Sequence, residues 1–225
     1  MAQLKIIDLG KMPYDRALEE QMRRVDEVKQ ADRDLGYLLL VEHDPPVITL
    51  GRAAEENNIL LNHTELERRG IELRHISRGG DVTWHGPGQI VGYPIVRLDL
   101  RGRDVHRYLR NIEEIVIRTI AEYGVEGRRV EGLTGVWVGE EKIAATGIAI
   151  TRWVSYHGFA LNVSSDLSHF DLIVPCGIID KGVCNLEQAA GRGVSIPEVK
   201  EKLSCHTAQV LGFDGFDTCS LSDLD

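Results

Sequence analysis

The 225-residue sequence has little of what marks several large protein classes. No run approaches the ~20 consecutive apolar residues of a membrane-spanning helix, so a membrane protein is not expected. The first ten residues lack the charged-then-apolar layout of a secretion signal, which leaves the cytoplasm as the expected compartment. Cysteine is sparse: Cys176, Cys184, Cys205 and Cys219 all fall in the last quarter, with no Cys-x-x-Cys pair and no paired histidine spacing. A disulfide framework and a zinc site are both unexpected on that ground, and no metal or cofactor is expected. Positive charge is also short, with 26 Lys and Arg against 35 Asp and Glu and a net charge of −9. That balance disfavours nucleic acid as a partner. Repeats, low-complexity tracts and linkers rich in Pro, Gly or Ser are absent.

What is present reads as one globular domain over residues 1–212, followed by a C-terminal tail, residues 213–225, that need not be ordered. Residues 14–31 carry Ala17, Leu18, Met22, Val25 and Val28 near helical spacing, and residues 105–123 repeat the pattern with Val105, Leu109, Ile112, Val116 and Ile120. A third helix is expected over 197–211 and a short one over 65–69, ended by Gly70. Strands are expected over 37–42, 47–50, 74–77 and 90–98. From residue 134 the period changes to two, predicting an antiparallel meander over 134–138, 142–151 and 153–163. Helices and strands mix without regular βαβ alternation. The expected fold class is therefore α+β, with a mixed, largely antiparallel sheet flanked by helices.

Residues 78–89 form the most unusual segment, with four glycines and one proline around Asp81, Thr83 and His85. It matches neither a Walker A loop nor Gly-x-Gly-x-x-Gly, and reads as a binding loop or, alternatively, a plain surface loop. Cys176 sits between Pro175 and Gly177, which suggests a fixed turn presenting the thiol; an inert buried cysteine would read the same way. A nucleophilic thiol needs a partner that favours its thiolate. Lys142 opens a strand of otherwise small or apolar residues, where a lysine is either solvated or, if desolvated, shifted toward a useful pKa. Gly147 and Gly158 interrupt adjacent predicted strands, forming either bulges or a slot between them. Arg97, Arg101, Arg103, Arg107 and Arg110 cluster in one stretch and Arg128 and Arg129 in another, as a docking patch or a solvated face.

Five segments together resemble the octanoyltransferases of lipoic acid synthesis, also called lipoate–protein ligase B type enzymes. They are residues 78–93 (RGGDVTWHGPGQIVGY), 135–138 (GVWV), 142–147 (KIAATG), 152–163 (RWVSYHGFALNV) and 173–178 (IVPCGI). The resemblance spans residues 37–186 and implies the fold of the lipoate and biotin ligase catalytic domain. It implies that Cys176 accepts an acyl group as a thioester and that Lys142 lowers its pKa and moves protons. It implies an acyl pocket lined by Arg78, Gly79, Gly80, Asp81, Val82, Thr83, Trp84 and His85, by Ala145, Thr146 and Gly147, and by Gly158, Phe159 and Ala160. The implied donor is octanoyl-acyl carrier protein. The implied acceptors are lysines on lipoyl domains of 2-oxoacid dehydrogenase complexes and on glycine cleavage H-type protein, with octanoyl or lipoyl as cargo. Two positions depart from the family pattern: Thr146 replaces an apolar residue, and Cys184-Asn185 replaces Thr-Ser. An ATP-dependent ligase on the same fold and a non-catalytic carrier binder are the competing readings.

Overall fold

The computed structural model describes residues 2–54, 56–174, 181–219 and 221. Ten strands and five α-helices are seen among them: β1 (Gln3–Met12), α1 (Tyr14–Gln30), β2 (Leu35–His43), β3 (Val47–Leu50), α2 (His63–Arg68), β4 (Glu72–His75), β5 (Val82–His85), β6 (Gln89–Ile95), α3 (Val105–Ala121), β7 (Val136–Val138), β8 (Glu141–Thr151), β9 (Val154–Asn162), α4 (Leu186–Ala190), α5 (Ile196–Leu211) and β10 (Phe216–Cys219). No described helix is long and apolar enough to cross a membrane.

A seven-stranded sheet runs in the order β10-β1-β2-β6-β9-β8-β7. β10, β1 and β2 pair in parallel, and every later pair is antiparallel. A small second sheet runs β4-β3-β5. The expected α+β class with a mixed, largely antiparallel sheet is what the molecule has.

Strand β2 shows why its sequence is a continuous apolar run. Leu38 and Leu40 face a core built with α3 and α5, while Tyr37, Leu39 and Val41 face a second core under α1. A strand covered on both faces needs no polar alternation. Helix α3 turns Ile112, Ile115, Val116 and Ile120 to the first core, the 3.6-residue stripe visible in the sequence. A third cluster joins the small sheet to residues 167–172, with Trp84 stacked on His169 at 4.8 Å and edge-on to Phe170.

Four elements depart from expectation, the five-residue helix α4 among them. β5 lies inside the segment read as a loop: Val82 to His85 alternate faces, all four are buried, and they pair with β3. Strand β1 was not expected. Its apolar residues are split between the two cores, Leu4 and Ile6 to one and Ile7 and Leu9 to the other, with Lys5 and Asp8 between them. Within the expected tail, Phe216 to Cys219 pair in parallel with Leu4 to Ile7.

Candidate active site

A cavity lies between the α1-side face of the large sheet and the small sheet; its space, open mouth included, is about 820 Å³. The floor comes from the β8–β9 ladder. Gly147 pairs directly with Gly158, and Ala145 with Ala160. The ladder passes through both glycines in register, so they are not bulges; they let other chain segments approach closely, and a Cβ at Gly158 would collide with the Gly92 carbonyl oxygen. A Cβ at Gly147 would meet the Gly79 carbonyl oxygen at 2.8 Å and Arg78 Cδ at 3.1 Å.

Of the sequence-derived pocket residues, Arg78, Gly80, Asp81, Val82, Thr83, His85, Ala145, Thr146, Gly147, Gly158, Phe159 and Ala160 line this cavity. Two do not. Gly79 lies behind the wall, its N–H donating to the Ile148 carbonyl at 3.0 Å. Trp84, one residue out of phase with His85 on β5, points into the third core. Residues missed from the sequence include Tyr14 of α1, Tyr93 and Gln89 of β6, Asn162 and His157 of β9, and Thr134 and Val183. They come from five separate segments, which the fold rather than the local sequence brings together.

The polar groups in the walls are tied to each other. Arg78 is buried and donates from Nη2 to the Thr49 carbonyl and Oγ1, both at 2.9 Å. His85 Nδ1 pairs with Gln89 Oε1 at 2.7 Å. Gln89 Nε2 donates to Asn162 Oδ1 at 2.8 Å, and Asn162 Nδ2 donates to the Cys184 carbonyl at 3.2 Å. Cys184 N–H then donates to the Lys142 carbonyl at 3.1 Å. One thread thus joins β5, β6 and β9 to the strand that carries Lys142. Burial holds His43 down to about 4, and burial and then the Arg78 charge hold His157 down to about 3. Burial also drives His85 well below its ordinary value, so all three rings are neutral at pH 7.

Lys142 stands at the other end of the cavity. It pairs across the ladder with Trp137 of β7, and its Nζ lies 4.9 Å from that ring's centre. Its N–H donates to the Gly182 carbonyl at 2.9 Å, so residues 182–184 run as a short parallel strand beside it. The expected nucleophile Cys176 lies outside the described residues. Among the described cysteines, Cys184 is nearest to this strand in sequence pairing, but burial and then the Glu141 charge push its thiol up to about 12. Cys184 is therefore a buried hydrophobe in the first core rather than a nucleophile.

The arginine stretches are largely occupied within the molecule. Arg97 binds Asp99 (2.7 Å), Arg101 binds Asp34 (2.9 Å), Arg110 binds the buried Glu113 (2.7 Å), and Arg129 bridges Glu113 and Glu114. Arg128 binds Glu140 at 2.6 Å. Arg103 lies over the Trp153 ring at 5.4 Å.

Comparison with known proteins gives a single answer. Residues 13–208 match the family model described as the lipoyl protein ligase A/B catalytic domain. A protein of Solibacter usitatus (strain Ellin6076) named octanoyltransferase is 49% identical over 216 residues, covering 95% of this chain and 96% of its own length. An octanoyltransferase of Alkaliphilus metalliredigens (strain QYMF) is 43% identical over 216 residues, covering 96% and 98%. Among solved structures, the bipartite lipoate protein ligase of Thermoplasma acidophilum superposes with a TM-score of 0.75 at 18% identity, covering all of this chain and 90% of that one. At that identity the likeness speaks for the fold, while the sequence relatives speak for the lineage: this chain belongs to the lipoyl protein ligase A/B catalytic domain family.

Proposed function

We propose that this protein is an octanoyltransferase. It moves an octanoyl or lipoyl group from acyl carrier protein to the lysine of a lipoyl domain, through a thioester on Cys176, as the first step of protein lipoylation made from endogenous acyl groups. The cavity supports the cargo. Its floor of paired glycines and alanines and its walls of Val82, Val91, Phe159 and Phe170 suit an alkyl chain. At ~0.8 kcal/mol per methylene, burying eight carbons contributes on the order of 5 kcal/mol. That is enough to hold the chain and keep water from the thioester.

The observation that carries the reading is the tether of Lys142 to the chain around Cys176. Residue 174 is fixed by its N–H to the Asn58 carbonyl at 2.8 Å, and residues 182 and 184 bond both backbone groups of Lys142. Cys176 is two residues from the first anchor, at most ~7 Å of chain. From the anchor at residue 182, Cys176 is six residues away, at most ~20 Å of chain, so connectivity allows its thiol to work at the Lys142 end of the cavity.

The chemistry then runs in two halves. Neutral Lys142 takes the Cys176 proton, and the thiolate attacks the donor thioester carbonyl. The donor thiolate leaves and recovers that proton from Lys142. One thioester replaces another, so this half is close to isoenergetic and reversible. The acceptor amine next attacks the acyl-enzyme and an amide forms. Cys176 leaves as the thiolate, and Lys142 takes the ammonium proton and returns it to the sulfur. Amide formation drives the second half forward.

Intact-mass measurement after mixing with octanoyl-acyl carrier protein tests this directly. A single octanoyl adduct should appear, vanish with hydroxylamine, and be absent in Cys176→Ala. If Cys176→Ala acylates a lipoyl domain at the wild-type rate, the thioester route is wrong. If it does so with ATP and free octanoate, the protein is an adenylating ligase instead.

A further inference from the structure

Lys142 has a difficulty that the fold must solve. A lysine with the ordinary pKa of ~10.4 is neutral in only about one molecule in 2,500 at pH 7, yet the proposed reaction needs the neutral amine. The Trp137 ring under its Nζ makes matters worse, because an indole face favours the protonated cation. A second positive charge nearby would act in the useful direction.

Such a charge is present. Lys181 Nζ lies 5.6 Å from the centre of the same Trp137 ring. Val183 pairs with Lys142 in a parallel bridge and lines the cavity with it. Lys181, two residues earlier, falls on the same side by strand alternation. With centroid distances of 4.9 and 5.6 Å, the two ammonium groups are at most the sum of those distances apart, close to the Debye length of ~10 Å at 0.1 M salt.

We propose that Lys181 is a positioning residue for Lys142: it holds a second ammonium group against Lys142 on Trp137, biasing Lys142 toward the neutral amine, and Glu140 sets how strongly that charge is felt. The inference rests on the acid–base role of Lys142 proposed above. Glu140, in the β7–β8 turn, ion-pairs with Lys181 and also takes Arg128 at 2.6 Å. Its side chain is 71% exposed, against 24% for Lys181, so water screens the carboxylate more than the cation. Two further carboxylates are described near Lys142. Glu141 turns its carboxylate toward Gly182. Glu113 is buried, accepts from the Gly135 N–H at 2.9 Å, and is paired with Arg110 and Arg129. Cys176 lies outside the described residues.

The test is the pH dependence of kcat/KM for octanoyl transfer. Lys181→Met should move the acidic limb upward by about half to one pH unit while the plateau rate is retained. Lys181→Arg should restore the wild-type limb. Glu140→Gln should move the limb downward, because the carboxylate that offsets the Lys181 charge is then gone. A rate loss in Lys181→Met that is even across pH, or a limb that moves upward in Glu140→Gln, overturns the proposal. Should Lys181→Met fail to fold, Glu140→Gln, in an exposed turn, carries the test alone. Failure of the underlying reading looks different: Lys142→Met would then transfer at the wild-type rate.

Discussion

Gly135 shows how a single residue shapes the space around Lys142. Its φ is +106°, a conformation that side-chain-bearing residues rarely adopt. A Cβ there would meet the Ala144 carbonyl oxygen at 2.5 Å and Lys142 Cε at 3.5 Å. Gly135→Ala must therefore strain its own backbone and push both the β8 strand and the lysine stem. Misplacing a reacting group by ~1 Å can cost ~100-fold in rate. We expect Gly135→Ala to lose about 10- to 100-fold in kcat and about 1–3 kcal/mol of stability. Unchanged turnover in a folded Gly135→Ala would mean this turn does not set the position of Lys142. The sequence made Lys142 and the glycine-rich strand conspicuous, because a cation opening a run of small residues is odd on its own. It could not separate Trp84 from His85, because neighbours on a strand point to opposite faces and only the partner sheet decides which face is the cavity. Nor could it show Trp137 beneath two lysines, since Lys181 reaches that ring only through a pairing of Lys142 with Val183, far away in sequence.

At the scale of elements, the helices and the late meander were legible because their periods are local. The expected helix over 14–31 is Tyr14–Gln30, and the strand expected over 47–50 is Val47–Leu50. Strand β1 was hidden because both its faces are half apolar, and β5 because flanking glycines dominated the reading of a four-residue strand. The hairpin that builds the cavity floor carries a local conflict of its own. Its turn residues Arg152 and Trp153 have φ of +48° and +64°. Tight hairpins of this hand favour Asn-Gly, because left-handed backbone costs side-chain-bearing residues ~1–2 kcal/mol each. Replacing Arg152-Trp153 by Asn-Gly should relieve much of that cost and lose the Arg103–Trp153 stacking, worth ~0.5–1 kcal/mol. The net expectation is a gain of about 1 kcal/mol, read as a higher urea midpoint at constant slope. Octanoyl transfer should be unaltered, since the turn lies at the opposite end of β8 from Lys142. A lower midpoint would show that the Trp153 contacts outweigh the backbone strain.

For the whole molecule, the two cores on the large sheet are conventional, but the space between the sheets is not. It holds three buried neutral histidines, His43, His85 and His157, set among Tyr14, Tyr93 and Arg78. Each ring is hydrogen-bonded as a neutral group: His43 bonds the Tyr93 hydroxyl at 2.7 Å and the Met12 carbonyl at 3.2 Å, and His85 bonds Gln89. This arrangement links stability to pH with a definite sign. An unfolded histidine binds a proton near pH 6.5, whereas the folded His43 and His157 resist protonation until about 4 and about 3. Between those values the unfolded chain holds more protons, so stability must rise with pH there and fall as pH drops below 6.5. Each such group contributes up to ~1.4 kcal/mol per pH unit. His43 and His157 together amount to about 3 kcal/mol between pH 6.5 and 5, with His85 acting in the same direction, a large share of the ~5–15 kcal/mol of a typical domain. Below that, carboxylates held low by arginine partners, such as Asp15 with Arg74 and Glu114 with Arg129, extend the decline in the same direction. Urea titrations at pH 7, 6 and 5 should show the midpoint falling steeply at nearly constant slope. A midpoint that is level from pH 7 to 5 would mean that these rings titrate in the folded protein much as they do in the unfolded chain, and that the wall of the cavity is open to water.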